Sequence, residues 1–150
     1  MLSTMVVYAA LMHSDQKDKG GVPYIFHVMA VAAGVTKYND PELMCIAVGH
    51  DLFEDTSCTP DELRELFVSE RVIRGIDALT KKKGQSYDDY VEGVLANVDA
   101  VLVKYSDVTH NMDMSRLNRP IVAKDLLRLE KYMILKSKLI AKGMEYGISL

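Results

Sequence analysis

The sequence predicts an all-α domain of about seven helices, and three observations carry that reading. Apolar residues recur every three or four positions in nearly every segment, and no stretch sustains an apolar–polar alternation of period two. Helix-start residues followed by proline or acids, and glycine or proline breakers, punctuate the chain at short intervals. One hundred and fifty residues, 49% hydrophobic and 26% charged, suit a single domain over 1–150 with a core of its own.

Taken in order, residues 2–16 read as a helix with Met5, Ala9 and Met12 along one side. Lys17-Asp-Lys-Gly-Gly-Val-Pro23 is a turn: charged, then doubly glycine, then proline. Tyr24 to Val35 resumes the pattern, with Ile25, Val28, Met29, Ala32 and Ala33 as its core side and His27 near its start. Asn39 or Asp40 caps a helix over Pro41 to Glu54, in which Leu43, Ile46 and Ala47 share an apolar face. Thr59-Pro-Asp-Glu62 can form a capping box, and Leu63, Leu66 and Phe67 should face inward behind it. Ser69 caps the next helix, whose stripe is Val72, Ile73, Ile76 and Leu79 and whose end carries Lys81-Lys-Lys83 and Gly84. Ser86 caps a helix through Leu95, and Asp99 starts another that runs to Asn111. Ala100 to Val103 is β-branched enough to suggest a strand, but its flanks keep helical spacing. Asn118 to Pro120 is a loop, and residues 121–142 form a long helix with Leu126, Leu129, Tyr132, Met133, Ile134 and Leu139. Gly143 should end it, leaving a loose seven-residue tail.

Composition narrows the function classes. The net charge of −3, from 18 basic and 21 acidic residues, argues against a nucleic-acid surface. An anionic substrate must therefore be met by local lysines or by a metal. The longest uncharged run, Gly20 to Thr36, is interrupted by Pro23 and three glycines and is too short to span a membrane. No basic segment precedes the apolar first helix, so no signal peptide is expected. Cys45 and Cys58 form no Cys-x-x-Cys pair and read as reduced thiols of a cytoplasmic protein.

The stretch Cys45 to Thr56 draws the chemistry together. His50 and Glu54 lie one helical turn apart, as do Asp51 and Asp55. Three carboxylates and an imidazole on one side of an apolar helix either face water or hold a cation. His27, the His50–Asp51 pair and Asp107 sit inside otherwise apolar helices. Two imidazoles and two carboxylates suit Mn²⁺, Fe²⁺, Zn²⁺ or Co²⁺ better than Ca²⁺, and leave positions open for water.

Six motifs then come in a recognisable order: His13-Ser-Asp-Gln16, Gly21-Val-Pro-Tyr-Ile-Phe-His27, His50-Asp-Leu-Phe-Glu-Asp-Thr56, Gly75-Ile-Asp-Ala-Leu-Thr-Lys81, Tyr87-Asp-Asp-Tyr90 and Lys104-Tyr-Ser-Asp-Val-Thr-His-Asn-Met112. Over roughly residues 5–120 the chain resembles the HD-domain metal phosphohydrolases, and most closely the (p)ppGpp hydrolase domain of stringent-response enzymes and their small stand-alone relatives. The resemblance implies a helical HD-type fold and one divalent ion, usually manganese, on His27, His50, Asp51 and Asp107. It implies catalytic roles for Glu54 and Asp55 beside the reacting water. It also implies nucleotide-binding roles near Lys104, Asn111 and the Thr80–Lys81 turn, with Lys17, Lys19 and Tyr24 added from their position and chemistry. Three departures stand out. Asp18 occupies the place of an arginine that stacks on guanine, Val108 that of an arginine after the metal-site aspartate, and Val28 that of a proline.

The implied activity is hydrolysis of the 3′-diphosphate of (p)ppGpp. A second reading is the same chemistry on a nucleoside monophosphate or an NADPH-like 2′-phosphate. A third is a non-catalytic helical module that binds a nucleotide or a partner. The expected ligand is a small phosphorylated nucleotide, with no nucleic acid and no membrane. The long C-terminal helix could pack on its own core or against a second copy of the chain. His13 should support the pocket wall, and His110 should turn away from Asp107 and bond within the core.

Overall fold

The computed structural model describes residues 1–150 and contains helices without strands. Nine α-helices run in order: α1 (Leu2–Met12), α2 (Ile25–Val35), α3 (Pro41–Gly49), α4 (Leu52–Asp55), α5 (Pro60–Glu65), α6 (Glu70–Leu79), α7 (Tyr87–Leu95), α8 (Val98–Asn111) and α9 (Ala123–Glu145). Short 3-10 turns cover Thr36–Tyr38 and Met114–Arg116. The caps form largely as the sequence reads. Asp40 accepts from the N–H groups of Glu42 and Leu43, Thr59 and Glu62 close a capping box, and Ser69 and Ser86 cap α6 and α7. The cap of α8 is Asn97 rather than Asp99. Asp99 instead turns back to Arg71, whose guanidinium also reaches Asp40 and Glu42 and so ties the starts of α3, α6 and α8 together.

The core centres on α3, which packs against α1, α2, α6 and α8 and is buried along nearly its whole length. Two glycines let α3 and α6 meet closely. A Cβ on Gly49 would press into Ile76, and one on Gly75 would press into Ile46. A third close approach joins α2 to α8: the Ser106 hydroxyl, on α8, lies where a Cβ on Gly34 would stand and donates to the Val31 carbonyl at 2.9 Å. That contact sets the depth at which the two helices cross, and with it the meeting of His27 and Asp107.

Several sequence expectations are corrected. The helix foreseen over Pro41–Glu54 is two segments, because the chain turns at His50 and Asp51. The His50 ring takes the Ala47 carbonyl at 2.8 Å, a helix-end arrangement that leaves Asp51 outside regular helix. Phe67 faces solvent, 92% exposed, since its backbone turns left-handed (φ 57°) after α5 ends. The buried stripe of α2 is Val28, Val31, Ala32 and Val35, and Met29 points outward. This rotation puts His27, one turn before Val31, on the buried face. In α9 the buried residues are Asp125, Leu135, Leu139 and Gly143, while Leu126, Met133 and Ile134 are exposed. Gly143 lies within α9, not at its end, and the tail folds back on it. Ile148 N–H donates to the Gly143 carbonyl, and Leu150 packs over that glycine.

Candidate metal centre and nucleotide cavity

Three elements bring four side chains to one point. His27 comes from the first turn of α2, His50 and Asp51 from the break after α3, and Asp107 from the last turns of α8. His27 Nε2 stands 3.1 Å from Asp107 Oδ1 and 3.9 Å from Asp51 Oδ2. His50 Nε2 stands 2.7 Å from Asp51 Oδ2 and 3.9 Å from Asp107 Oδ1. His27, His50 and Asp107 are buried and offer one ligand atom each, all within 4.8 Å of one another.

Hydrogen bonding at the far side of each ring decides what the near side can do. His50 Nδ1 is held by the Ala47 carbonyl, which can only accept, so Nδ1 carries the proton. Its buried Nε2 then has no well-directed hydrogen bond, although the Asp51 carboxylate is adjacent. A bare imidazole lone pair facing a carboxylate is repulsive, and a proton or a metal ion between them removes the repulsion. His27 Nδ1 meets His110 Nδ1 at 2.8 Å, so one ring donates and the other accepts. If His27 turns Nε2 to an ion as a lone pair, His27 donates and His110 accepts. The donor set, with His50 Nδ1 tied to Ala47 and its Nε2 turned toward Asp51 and Asp107, fits a divalent ion.

The carboxylates are held ionised. Both oxygens of Asp107 are engaged, Oδ2 by the Lys104 ammonium at 2.8 Å and Oδ1 by the Asn111 amide at 2.6 Å. Burial pushes the Asp107 pKa up, but the Lys104 charge and then His27 and His50 hold it well below the usual range. Burial likewise opposes ionisation of Asp51, but the charge of the adjacent His50, with help from the Tyr24 hydroxyl, brings it to about 2. Tyr24 donates its hydroxyl to Asp51 Oδ2 at 2.6 Å; burial and the Asp51 charge raise its own pKa and keep it a phenol. Burial disfavours a charged His50, yet Asp51 and Asp107 carry its pKa up to about 9. His110 shifts the other way, lowered by burial and then by Arg116 and His27.

A cavity of about 270 Å³ opens beside this cluster, bordered by His27, Tyr24 and Asn111. Lys17 and Lys19 line it. Lys104 does not; its ammonium is bound to Asp107 and lies over the Tyr90 ring. Lys81 lines a separate hollow of about 310 Å³. Its backbone N–H holds Glu54 Oε2 at 2.9 Å, so Glu54 bridges α4 to the end of α6. Asp55 is exposed, and its pKa is raised by partial burial and by the charges of Asp51 and Glu54. Neither Glu54 nor Asp55 borders the first cavity. His13 does support the wall: its ring lies against Tyr24, its Nδ1 meets Gln16, and Gln16 donates to the Asp55 carbonyl. His110 bonds to His27 rather than within the core, because α8 carries it out to a half-exposed rim.

Sequence reading missed Arg116, Arg128 and Tyr132, which complete the cavity from the loop after α8 and from α9. Their local signal is weak: an arginine in a polar loop, and two residues of an amphipathic helix. The crossing of α9 over α8 brings Arg128 and Tyr132 toward His27, and bonds to Asp18 and the His110 carbonyl hold Arg116 there.

Helices enclosing a histidine–aspartate doublet, with a further histidine and aspartate from neighbouring helices, define an HD-type domain. No family model matches the sequence. Curated relatives do. The chain is 35% identical over 123 residues to the GTP pyrophosphokinase rsh of Brucella abortus, covering 75% of this chain. It is 32% identical over 121 residues to the GTP pyrophosphokinase of Myxococcus xanthus, covering 71%. It is 33% identical over 114 residues to the guanosine-3′,5′-bis(diphosphate) 3′-pyrophosphohydrolase of Aquifex aeolicus, covering 70%. In each case the match spans 16% of the relative's length. A solved structure of a metazoan ortholog of SpoT that hydrolyses ppGpp superposes with a TM-score of 0.74 at 22% identity, over 94% of this chain and 84% of that one. The chain belongs to the HD-domain family, in the branch of the (p)ppGpp hydrolase domains.

Proposed function

We propose that the chain hydrolyses the 3′-diphosphate of guanosine 3′,5′-bis(diphosphate), releasing pyrophosphate and leaving a 3′-hydroxyl. The observation that carries this reading is the convergence of His27, His50 and Asp107, all buried and with ligand atoms within 4.8 Å of one another, beside the Asp51 carboxylate. The names of the relatives supply the substrate. In this reading His27, His50, Asp51 and Asp107 hold one divalent ion, Mn²⁺ by family preference over Fe²⁺, Zn²⁺ or Co²⁺. The ion, when bound, supplies Lewis acidity toward the attacking water and a phosphoryl oxygen.

The chain's own residues do the rest. Lys104 and Asn111 fix the Asp107 carboxylate from two sides, so Lys104 serves the ion's cage and not the nucleotide directly. Tyr24 anchors Asp51, and its ring forms cavity wall. Lys17 and Lys19 offset substrate charge in the cavity. Glu54 orients the water and takes its proton as the oxygen attacks the phosphorus next to the ribose. Asp55, whose pKa is already raised, holds a proton more readily and passes it to the departing 3′-oxygen. The O3′–P bond breaks as the water–phosphorus bond forms.

Assays with Mn²⁺ on ppGpp, dAMP and NADPH test the reading. Turnover of ppGpp is expected, lost in E54A with metal retained. Hydrolysis of dAMP or NADPH alone would move the activity to another phosphate ester. Metal binding without hydrolysis of any of the three would overturn the enzymatic reading.

A further inference from the structure

The 17–23 loop contains no arginine, yet a guanidinium stands in the cavity wall beside it. It belongs to Arg116, 98 residues further along the chain, and Asp18 holds it. Asp18 has two jobs, one for each oxygen. Its Oδ1 accepts from the N–H groups of Gly20 and Val22 at 2.8 and 3.0 Å and so closes the loop. Its Oδ2 accepts from Arg116 Nη2 at 2.8 Å. Arg116 is fixed a second time by donation from Nη1 to the His110 carbonyl at 3.0 Å. The loop also fits tightly over this residue, since a Cβ on Gly20 would strike the Arg116 carbonyl. The guanidinium is therefore immobilised before any ligand arrives.

Two of its N–H groups are engaged by the protein, and a guanidinium has five. Arg116 borders the 270 Å³ cavity and also a second hollow on its other side, so it forms a partition between them. Lys17, Lys19 and Arg128 share the first cavity, against only Asp18 and Asp113 of opposite sign. Burial first, and then the charges of Arg128, Lys124 and Arg119, lower the Lys19 pKa despite Asp125. An excess of fixed positive charge with unused donors is an anion site.

We propose that Arg116 is a specificity-determining residue that binds the 5′-diphosphate of the substrate, the phosphates that are not cleaved, and that Asp18 is its positioning residue. This rests on the function proposed above and names the part of the substrate that the basic wall reads. A nucleotide whose 3′-phosphates lie at the His27 end of the cavity presents its other phosphates to Arg116 and the lysines. The wall then favours guanosine phosphorylated at both ends over a singly phosphorylated nucleotide.

The test uses the full chain loaded with Mn²⁺, with ppGpp and its analogue bearing one 5′-phosphate as probes. Binding is measured by calorimetry on the E54A background and turnover on the wild type. R116A should weaken ppGpp binding and raise KM about tenfold to a hundredfold, the range of a lost charge-assisted hydrogen bond. The kcat should stay within about twofold and Mn²⁺ affinity should be unchanged. The loss should be smaller for the analogue with one 5′-phosphate. D18N keeps the loop-closing acceptor and should weaken binding severalfold, with no further effect when added to R116A. Equal affinity of wild type and R116A for ppGpp would overturn the assignment of Arg116, as would equal losses for the two probes. An equal effect of D18N with and without Arg116 would overturn the tether. If the wild type binds ppGpp but does not cleave it, the proposed hydrolysis fails, and the binding series still decides the role of Arg116. If the wild type does not bind ppGpp, both fail.

Discussion

Loading Mn²⁺ into metal-free protein should release about one proton per ion near pH 7.5, and that proton should come from His50. Without an ion, the Nε2 of His50 lies 2.7 Å from Asp51 Oδ2, and the two nearby carboxylates raise its pKa to about 9. At pH 7.5 such a group is nearly all protonated, and an ion at the same place must displace that proton. Apparent affinity should therefore climb about tenfold per pH unit below 9 and level off above it, as long as the carboxylates stay ionised. The fold itself should respond in the opposite sense. The raised pKa of His50 stabilises the metal-free protein fully below the ordinary histidine value near 6.5, and that contribution is lost as pH rises through about 9. Asp51, lowered to about 2, contributes stability above its ordinary value near 4 that is lost as pH falls toward 2. Metal-free stability should thus peak between about pH 4 and 6.5. The assay is calorimetric titration of Mn²⁺ in two buffers of different ionisation enthalpy, repeated across pH, with urea unfolding of the metal-free protein alongside. A buffer-independent binding heat at pH 7.5, with no slope of affinity against pH, would refute the reasoning. The His50–Asp51 contact would then hold no displaceable proton.

Three further outcomes follow from particular contacts. Replacing His110 by Phe removes the hydrogen-bond partner of His27 Nδ1, the acceptor when His27 turns a lone pair to the ion, and should cost about tenfold to a hundredfold in Mn²⁺ affinity. H110N, which can still accept, should recover most of it, and equal losses in both variants would contradict the tautomer assigned to His27. Gly34→Ala puts a methyl where the Ser106 hydroxyl lies and should destabilise by about 1–3 kcal/mol in urea unfolding, with a weaker ion site because His27 and Asp107 are levered apart. Adding Ser106→Ala should restore part of that stability; unchanged stability in the single variant would mean that α2 and α8 can shift freely. Phe67→Gly relieves a left-handed residue with a fully solvated ring and should raise stability by up to about 1 kcal/mol, read as a higher Tm. A lower Tm would show that the ring has a partner.

Helix type and position were legible because they depend on near neighbours. The caps at Asp40, Thr59, Ser69 and Ser86 act within three residues, and the apolar period marks which faces are buried in most helices. Where two helix faces are about equally apolar, spacing alone leaves the buried one open. Met29 and Met133 satisfied an apolar stripe as well as their neighbours did, and only packing decided that they face water. The meeting of His27, His50, Asp51 and Asp107 was legible because ionisable groups inside apolar helices stand out, and because the order of the motifs resembles a family.

By itself the sequence determined an all-helical chain and the identity of the chemical groups that meet in its core. The tertiary structure alone decided what those groups touch. It broke the helix at His50, gave Lys104 to Asp107 instead of to a ligand, bonded His110 to His27, and moved Arg116 next to Asp18 across 98 residues. The physical reason is one of range. Hydrogen bonds within a turn depend on spacing along the chain, which can be read directly. A bond between side chains on different helices depends on crossing depth and rotation, and small residues such as Gly34, Gly49 and Gly75 set those only once the whole core has packed.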